Sequence, residues 1–208
     1  MKDNTVFVLL AGGQSQRMGI PKGLLNYKSS YWILEQLNRL AKTNIKQVLI
    51  GLGHDHQQYF DAIPWFEAAE KNFVKYQQLD IKIVINPRPE KGSFSTLQSV
   101  LGHIPIMDAI INPIDVPLLN PIEFNQIYTT KNTVVIPNYK GKNGHPIKLK
   151  ASFCEALVKL NIRQETSRLD FQIKKLKFNE ISIVNISDPS ILKNLNNPEN
   201  WELFLSQD

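Results

Sequence analysis

The sequence predicts an α/β fold in which a mostly parallel sheet carries helices on both faces. Three observations lead there. Continuous apolar runs of strand length recur along the chain. Segments with apolar residues at helical spacing lie between them. The two kinds alternate, and a strand joined to the next through a helix returns parallel to it. A sheet covered on both sides has strands that read as unbroken apolar runs.

The elements follow in order. "TVFVLLA" (5–11) is a buried strand that ends at Gly12. After a glycine-rich loop, "SSYWILEQLNRLAKT" (29–43) is a helix with a serine N-cap candidate and apolar positions Trp32, Ile33, Leu37 and Leu40. "KQVLIGLG" (46–53) is the second strand, and a mostly helical stretch from His54 to Gln78 breaks near Pro64. "DIKIVINP" is a third strand stopped by Pro87, "SFSTLQSVLGHI" a helix, and "DAIINPID" a fourth strand. "NPIEFNQIYTT" is a helix with Asn120 as cap and Pro121 in its first turn. "NTVVIPNY" and "HPIKLK" are short strands, "ASFCEALVKL" is helical, "EISIVNIS" closes the strand set and "PENWELFL" is the last helix. Together they describe a three-layer, Rossmann-like, doubly wound arrangement.

The bulk composition narrows the function. At 208 residues the length suits one large domain and by itself leaves two small ones open. No repeat, low-complexity tract or linker divides it, so residues 1–208 read as a single domain. The apolar run Val6–Ala11 is too short to span a bilayer, and Met1, Lys2, Asp3 and Asn4 lack the flank of a signal peptide. Cys154 is the only cysteine, which excludes an intrachain disulfide and points to a reducing, cytoplasmic compartment. Its helical, apolar setting marks a buried and inert thiol. The net charge of +5 comes from scattered lysines with no basic stripe, so neither nucleic acid nor membrane is the expected partner. Small anionic substrates account for the surplus more simply.

In open sheets of this type the ligand lies beyond the carboxyl ends of the strands. There the polar residues are informative. Gly12 and Gly13 follow strand one and allow backbone N–H groups to approach a ligand closely. Arg17 offers a planar fork for phosphate and Lys22 a point charge. Pro21 disfavours helix at Ile20 and keeps the loop open. A Walker A loop would need Gly-Lys-Ser/Thr at the helix start, and a dinucleotide fingerprint needs a G-x-G-x-x-G spacing that Gly12, Gly13 and Gly19 lack. The bland alternative is a glycine turn bearing two solvated cations.

Asp115, in "INPIDVPLL", is a lone carboxylate among apolar residues. It is either a cap or ion-pair partner, or a ligand for Mg²⁺, which takes one or two protein carboxylates and fills the rest with water and phosphate. In "NLNNPEN", Asn197 and Pro198 read as an ordinary helix start. Asn194 and Asn196 are spare, and an amide oxygen can also ligate a hard cation. His54 and His56 read as surface residues and His103 as a helix-end cation. His145 divides evenly between strand-edge packing and substrate contact. No Ser–His or Cys–His pairing is evident.

"LAGGQSQRMGIPKGLL" resembles the signature loop of the MobA-like nucleotidyltransferases, and the resemblance runs over nearly the whole chain. "NPRPEKGSFSTLQSVL" is similar to the family's glycine-serine segment, "IDVP" to its Asp-x-Pro, "NGHPIKL" to its Gly-His-Pro strand and "NLNNPENWELF" to its C-terminal motif. The resemblance implies transfer of a nucleotide from an NTP to a phosphate-bearing acceptor with release of pyrophosphate. Leu10, Ala11, Gly12 and Gly13 would contact base and ribose through backbone, with Gly92 and Ser95 bordering the base. Arg17 and Lys22 would hold the triphosphate, Asp115 and Asn196 would bind Mg²⁺, and His145 would face the acceptor. Enzymes that attach CMP or GMP to molybdopterin share the most pattern, which implies transient contacts with molybdoenzymes or cofactor-biosynthesis proteins. Leu-Ala-Gly-Gly and the Asn-rich motif look guanylyl-like, whereas Pro21-Lys22, "GSFSTLQS" and "NGHPIKL" look cytidylyl-like. The cytidylyl group's Gly-Asp-x-Gly-Ala-Arg is reduced to Arg168, and Asn197 replaces the threonine before proline. CTP and GTP therefore both stay open. The rivals are a sugar-1-phosphate or other small-molecule nucleotidyltransferase and a noncatalytic nucleotide or cofactor carrier.

Overall fold

The apolar run that follows the N-terminus forms the strand around which the fold is arranged. In the computed structural model, which describes residues 5–105 and 107–207, β1 (Thr5–Ala11) lies at the centre of a nine-stranded sheet. The flank formed by Met1–Asn4 lies outside the described residues. Along β1 the side chains alternate between two cores: Phe7, Leu9 and Ala11 on one face, Val6 and Val8 on the other. That period-two division is what a strand buried on both sides requires.

The chain continues through a two-stranded ribbon, β2 (Asn26–Tyr27) with β3 (Ser30–Tyr31), into α1 (Trp32–Leu40). Next come β4 (Gln47–Leu52), α2 (His56–Ala62), α3 (Trp65–Lys71), β5 (Val74–Tyr76), β6 (Leu79–Ile85) and α4 (Ser93–Leu101). The second half holds β7 (Asp108–Pro113), α5 (Pro121–Thr129), β8 (Val134–Tyr139), β9 (Lys142–Asn143), β10 (Ile147–Leu149) and α6 (Ala151–Val158). It ends with α7 (Leu169–Lys174), β11 (Ile181–Asn185) and α8 (Pro198–Gln207). Strand order is β11-β8-β10-β7-β1-β4-β6-β5, with β9 on β8. β6, β4, β1 and β7 run parallel, as do β8 and β11, while β10 is antiparallel to both neighbours. Residues of α1, α3, α5 and α8 pack on the Phe7 face, and residues of α4 and α6 on the Val6 face. The predicted three-layer α/β architecture is the observed one.

Three local expectations change. The helical stretch ends at Lys71, because Val74–Tyr76 pairs antiparallel with β6 through a turn at Gln77, whose φ is 53°. Here an open sheet edge claims residues whose local pattern permitted helix. No serine caps α1: its N-cap is Tyr31, which continues from the β2–β3 ribbon, and the Trp32 N–H donates to Leu25 O at 2.9 Å. The "RLDFQIK" segment adds the helix α7, unforeseen because its six residues are too few for a period to show. By contrast Asn120 caps α5 as expected, accepting from the N–H groups of Ile122 and Glu123. Cys154 is buried and its thiol is pushed up to about 12 by burial, so it stays protonated.

The topology fixes where a site can form. From β1 the chain winds to β4 and β6 on one side, then crosses back to β7 on the other. The carboxyl ends of β1 and β7 are therefore neighbours at the point where strand order reverses, the usual location of a ligand crevice.

Candidate active site

β1 and β7 run in register, with Leu10 opposite Pro113, and the Ile114 N–H donates to Leu10 O at 2.9 Å. That single bond brings the two post-strand loops together. Between them lies a cavity of about 420 Å³ walled by Leu10, Ala11, Gly13–Arg17, Lys22, Pro113–Asp115 and Asn196. It falls in the size range of small-ligand sites.

The loop forms no helix from Gly12 to Pro21, holding one turn in which the Met18 N–H donates to Ser15 O at 2.8 Å, and then makes one 3-10 turn at Lys22–Leu24. The Lys22 N–H donates to Ser15 Oγ at 3.1 Å, closing the loop on itself. The buried Gly23 N–H donates to the phenol of Tyr59 at 3.1 Å. A Cβ at Gly23 would meet that oxygen at 2.6 Å, so only glycine lets Tyr59 support the turn bearing Lys22. Gly12 has a different reason: a Cβ there would meet Thr96 Oγ1 of α4 at 2.6 Å. A Cβ added at Gly13, on the cavity wall, would meet nothing within 4 Å.

Lys22 reaches across the cavity. Its ammonium donates to Asp115 Oδ2 at 2.7 Å and to Asn196 Oδ1 at 2.6 Å. The Leu195 N–H donates to Asp115 O at 2.9 Å, which joins the C-terminal segment to the β7 loop. Asn197 makes the ordinary cap, its side chain accepting from the Asn200 N–H at 2.9 Å, and Asn194 donates to Leu192 O. Asn196 alone of the three turns its amide oxygen to the cavity cluster. Two hard oxygens from separate segments thus already bracket a cation, the lysine's own.

Leu10 and Pro113 also border a second cavity of about 380 Å³. Its walls include Phe94, Leu97, Ile147 and Ile173, with His145, Arg168 and Asp170 among the polar lining. Burial holds the His145 imidazole below its ordinary pKa, although the negative charge of Asp115 opposes this, so the ring is neutral at pH 7. Gly92 is exposed at the N-cap of α4 with φ 82°. Ser95 does not reach either cavity. Its hydroxyl is within hydrogen-bonding distance of Arg88 O, Gly92 O and Asn86 Nδ2, at 2.9, 2.7 and 2.7 Å. α4 starts at Ser93, so residues 93, 94 and 97 face the second cavity and Ser95 turns toward Asn86. Arg17 is exposed and lines the first cavity, where Lys22 and Asp115 meet.

Several residues around the site carried no motif. Gln14, Ser15 and Gln16 wall the first cavity. Beneath it, Trp32, Gln36 and Asn112 donate to backbone carbonyls of residues 113–116. Gln36 did leave a signal, since it is a polar residue inside the apolar stripe of α1. The described residues contain no group of three His, Cys, Asp or Glu side chains able to hold a metal. No helix among them is long and apolar enough to cross a membrane.

A doubly wound sheet with a glycine loop, two cations and a carboxylate at its switch point defines a nucleotide-handling α/β enzyme. Residues 7–176 match the MobA-like NTP transferase domain, and the chain belongs to that family, which makes it a nucleotidyltransferase. Solved structures agree in fold. One is a Mycobacterium tuberculosis protein in complex with manganese, at 15% identity, 99% and 100% coverage of the two chains and a TM-score of 0.72. A nucleotidyl transferase from Methanothermobacter matches at 15% identity, 99% and 97% coverage and a TM-score of 0.73. The molybdopterin-guanine dinucleotide biosynthesis protein A of Archaeoglobus fulgidus matches at 13% identity, 97% coverage of both chains and a TM-score of 0.68. A comparison with curated proteins finds no match.

Proposed function

We propose that this protein transfers a nucleotidyl group from CTP or GTP to a phosphate-bearing acceptor, with molybdopterin the favoured acceptor, and releases pyrophosphate. The observation that carries the reading is the pair of cavities meeting at Leu10 and Pro113, one polar and cationic, the other largely apolar. A reaction with two substrates needs two seats that share a wall where the reacting atoms meet.

In this reading the triphosphate lies in the first cavity, held by Arg17 and Lys22, with the backbone of Leu10–Gly13 against base and ribose. Gly92, just before α4, borders the base, and Ser95 acts indirectly by fixing the 86–92 loop. The acceptor lies in the second cavity against His145 and Arg168. The apolar walls, Phe94, Leu97, Ile147 and Ile173, suit a flat ring system better than a sugar, which favours a pterin over a sugar 1-phosphate.

Asp115 and Asn196 fit a hard divalent cation, since both present oxygen and together they already hold an ammonium. Mg²⁺ bound there would neutralise charge on the phosphate oxygens. The chain's own residues do the remainder. The acceptor phosphate is anionic at neutral pH and attacks the α-phosphorus directly, so no general base is required. The new P–O bond forms as the α–β bridging P–O bond breaks, and pyrophosphate leaves with the bonding electrons. Arg17 and Lys22 face the charge that develops on that leaving group.

Residues 1–208 act in this proposal as one domain, because Asn196 near the C-terminus completes a cluster begun by Lys22. A reducing, cytoplasmic setting accords with the single buried cysteine, and molybdoenzymes or cofactor-biosynthesis proteins would be transient partners. The test is to incubate the protein with Mg²⁺, each of CTP, GTP, ATP and UTP, and either molybdopterin or a sugar 1-phosphate, and to follow pyrophosphate. Release only with CTP or GTP plus molybdopterin is the expected result. Nucleotide binding without pyrophosphate release from any combination would overturn the reading in favour of a carrier.

A further inference from the structure

We infer that Trp32 and Gln36 of α1 are positioning residues that set Asp115 relative to Asn196. This rests on the proposed metal role of that pair. The indole N–H of Trp32 donates to Ile114 O at 2.7 Å, one residue before Asp115. The Gln36 amide donates to Val116 O at 2.8 Å and accepts from the Leu118 N–H at 3.1 Å. It thereby spans Pro117, which has no N–H of its own to anchor the turn. The backbone is therefore gripped from α1 on both sides of Asp115.

The same indole also reaches the other arm. Its ring lies 5.4 Å from Trp201 and 5.1 Å from Phe204, edge-on to both. Those residues belong to α8, which begins two residues after Asn196. Trp32 thus contacts one segment by hydrogen bond and the other by aromatic packing, and Leu195 N–H to Asp115 O closes the loop between them.

Burial shows that this arrangement is not incidental. Trp32 is 0% and Gln36 3% exposed, and the other buried residues of that helix face are Ile33, Leu37 and Leu40. A leucine at position 36 would fill the core without the penalty of a buried amide. The amide is tolerated because both its groups are satisfied by the turn, and removing it strands the Leu118 N–H. A small, hard cation tolerates little error in ligand spacing, so ligands from two distant segments need a common support.

The test titrates Mn²⁺ against wild-type protein, Trp32→Phe and Gln36→Met, following the loss of the free-ion EPR signal. In parallel, the metal dependence of pyrophosphate release is measured. Trp32→Phe keeps an aromatic ring and loses the donor; Gln36→Met keeps bulk and loses both bonds. Each should weaken Mn²⁺ by roughly tenfold or more, as lost supports of metal ligands do. The metal concentration for half-maximal rate should rise in step, while kcat at saturating metal stays within about twofold of wild type. Leu40→Val, a core change elsewhere on α1, should lower Tm and leave the Mn²⁺ titration unmoved. If Trp32→Phe does not fold, Gln36→Met carries the test, since it leaves the aromatic cluster intact. Unchanged Mn²⁺ affinity in a folded variant overturns the positioning role. A wild-type protein that binds no Mn²⁺ overturns the metal reading itself, and the positioning role with it.

Discussion

The ammonium of Lys22 sits 2.7 Å from Asp115 Oδ2, and the same nitrogen is 2.6 Å from Asn196 Oδ1. Lysine thus occupies the space between the two oxygens proposed to ligate a metal. A free divalent ion has to compete with a tethered cation there, whereas a bound triphosphate gives Lys22 a second anion to grip. Metal and nucleotide should therefore favour one another's binding, each by the same factor.

Replacing Lys22 by methionine removes the competitor and the proposed phosphate contact together. Nucleotidyl transfer should fall by roughly 10²–10³, the usual loss for one preorganised charge-stabilising group. Mn²⁺ should nevertheless bind the nucleotide-free variant more tightly than it binds wild type. The two effects have opposite signs, so general damage to the site cannot mimic them. Near-normal turnover, or weaker Mn²⁺ binding, would exclude the assigned role.

Asp115→Asn keeps the shape of the side chain and removes its charge. The Lys22 ammonium loses its ion pair, and the proposed metal loses its one carboxylate. Mg²⁺-dependent transfer should fall to background, with binding of the metal-free NTP retained or improved because Lys22 is released. A metal titration of the variant that overlays wild type would refute the ligand assignment.

The sequence made this site legible because charged residues stand out beyond apolar strands, as Arg17, Lys22 and Asp115 do beyond β1 and β7. What it could not show is orientation. Ser95 lies in a suggestive motif, yet the helix phase set by Ser93 turns it toward Asn86. Val74–Tyr76 became a strand because β6 offered an unpaired edge, a tertiary circumstance with no local mark. The direct bond between Lys22 and Asp115 joins residues whose nearness depends on the β1–β7 pairing, and that pairing is visible only in the folded sheet.

Tyr59 supports Lys22 from below, and its removal should show in stability and in nucleotide affinity. Burial raises its phenol pKa well above the ordinary value, so it is neutral and remains an acceptor for Gly23 throughout the working range. Tyr59→Phe leaves a buried N–H unsatisfied, at a cost of about 1–3 kcal/mol. For a chain of this length that is a Tm loss of several degrees. KM for the NTP should rise as the Lys22 turn loosens. A calorimetric scan and a substrate titration check both, and a Tm equal to wild type would refute the support.

His145, in the second cavity, is linked to Asp115 through charge. Burial lowers its pKa below 6.5, and Asp115 partly offsets that shift. The folded imidazole therefore resists protonation while the unfolded one accepts it freely. Stability should be complete above about 6.5 and decline as pH falls below it, levelling off beneath the folded pKa. In NMR titrations of the ring protons, the His145 midpoint should lie below 6.5 in wild type. It should fall further in Asp115→Asn, where the stabilising negative charge is gone. His145→Gln should reduce the loss of Tm between pH 7 and pH 5, because the group that takes up the proton on unfolding is absent. A His145 midpoint that rises, or stays fixed, when Asp115 is neutralised would show that the two side chains do not sense one another across the wall between the cavities.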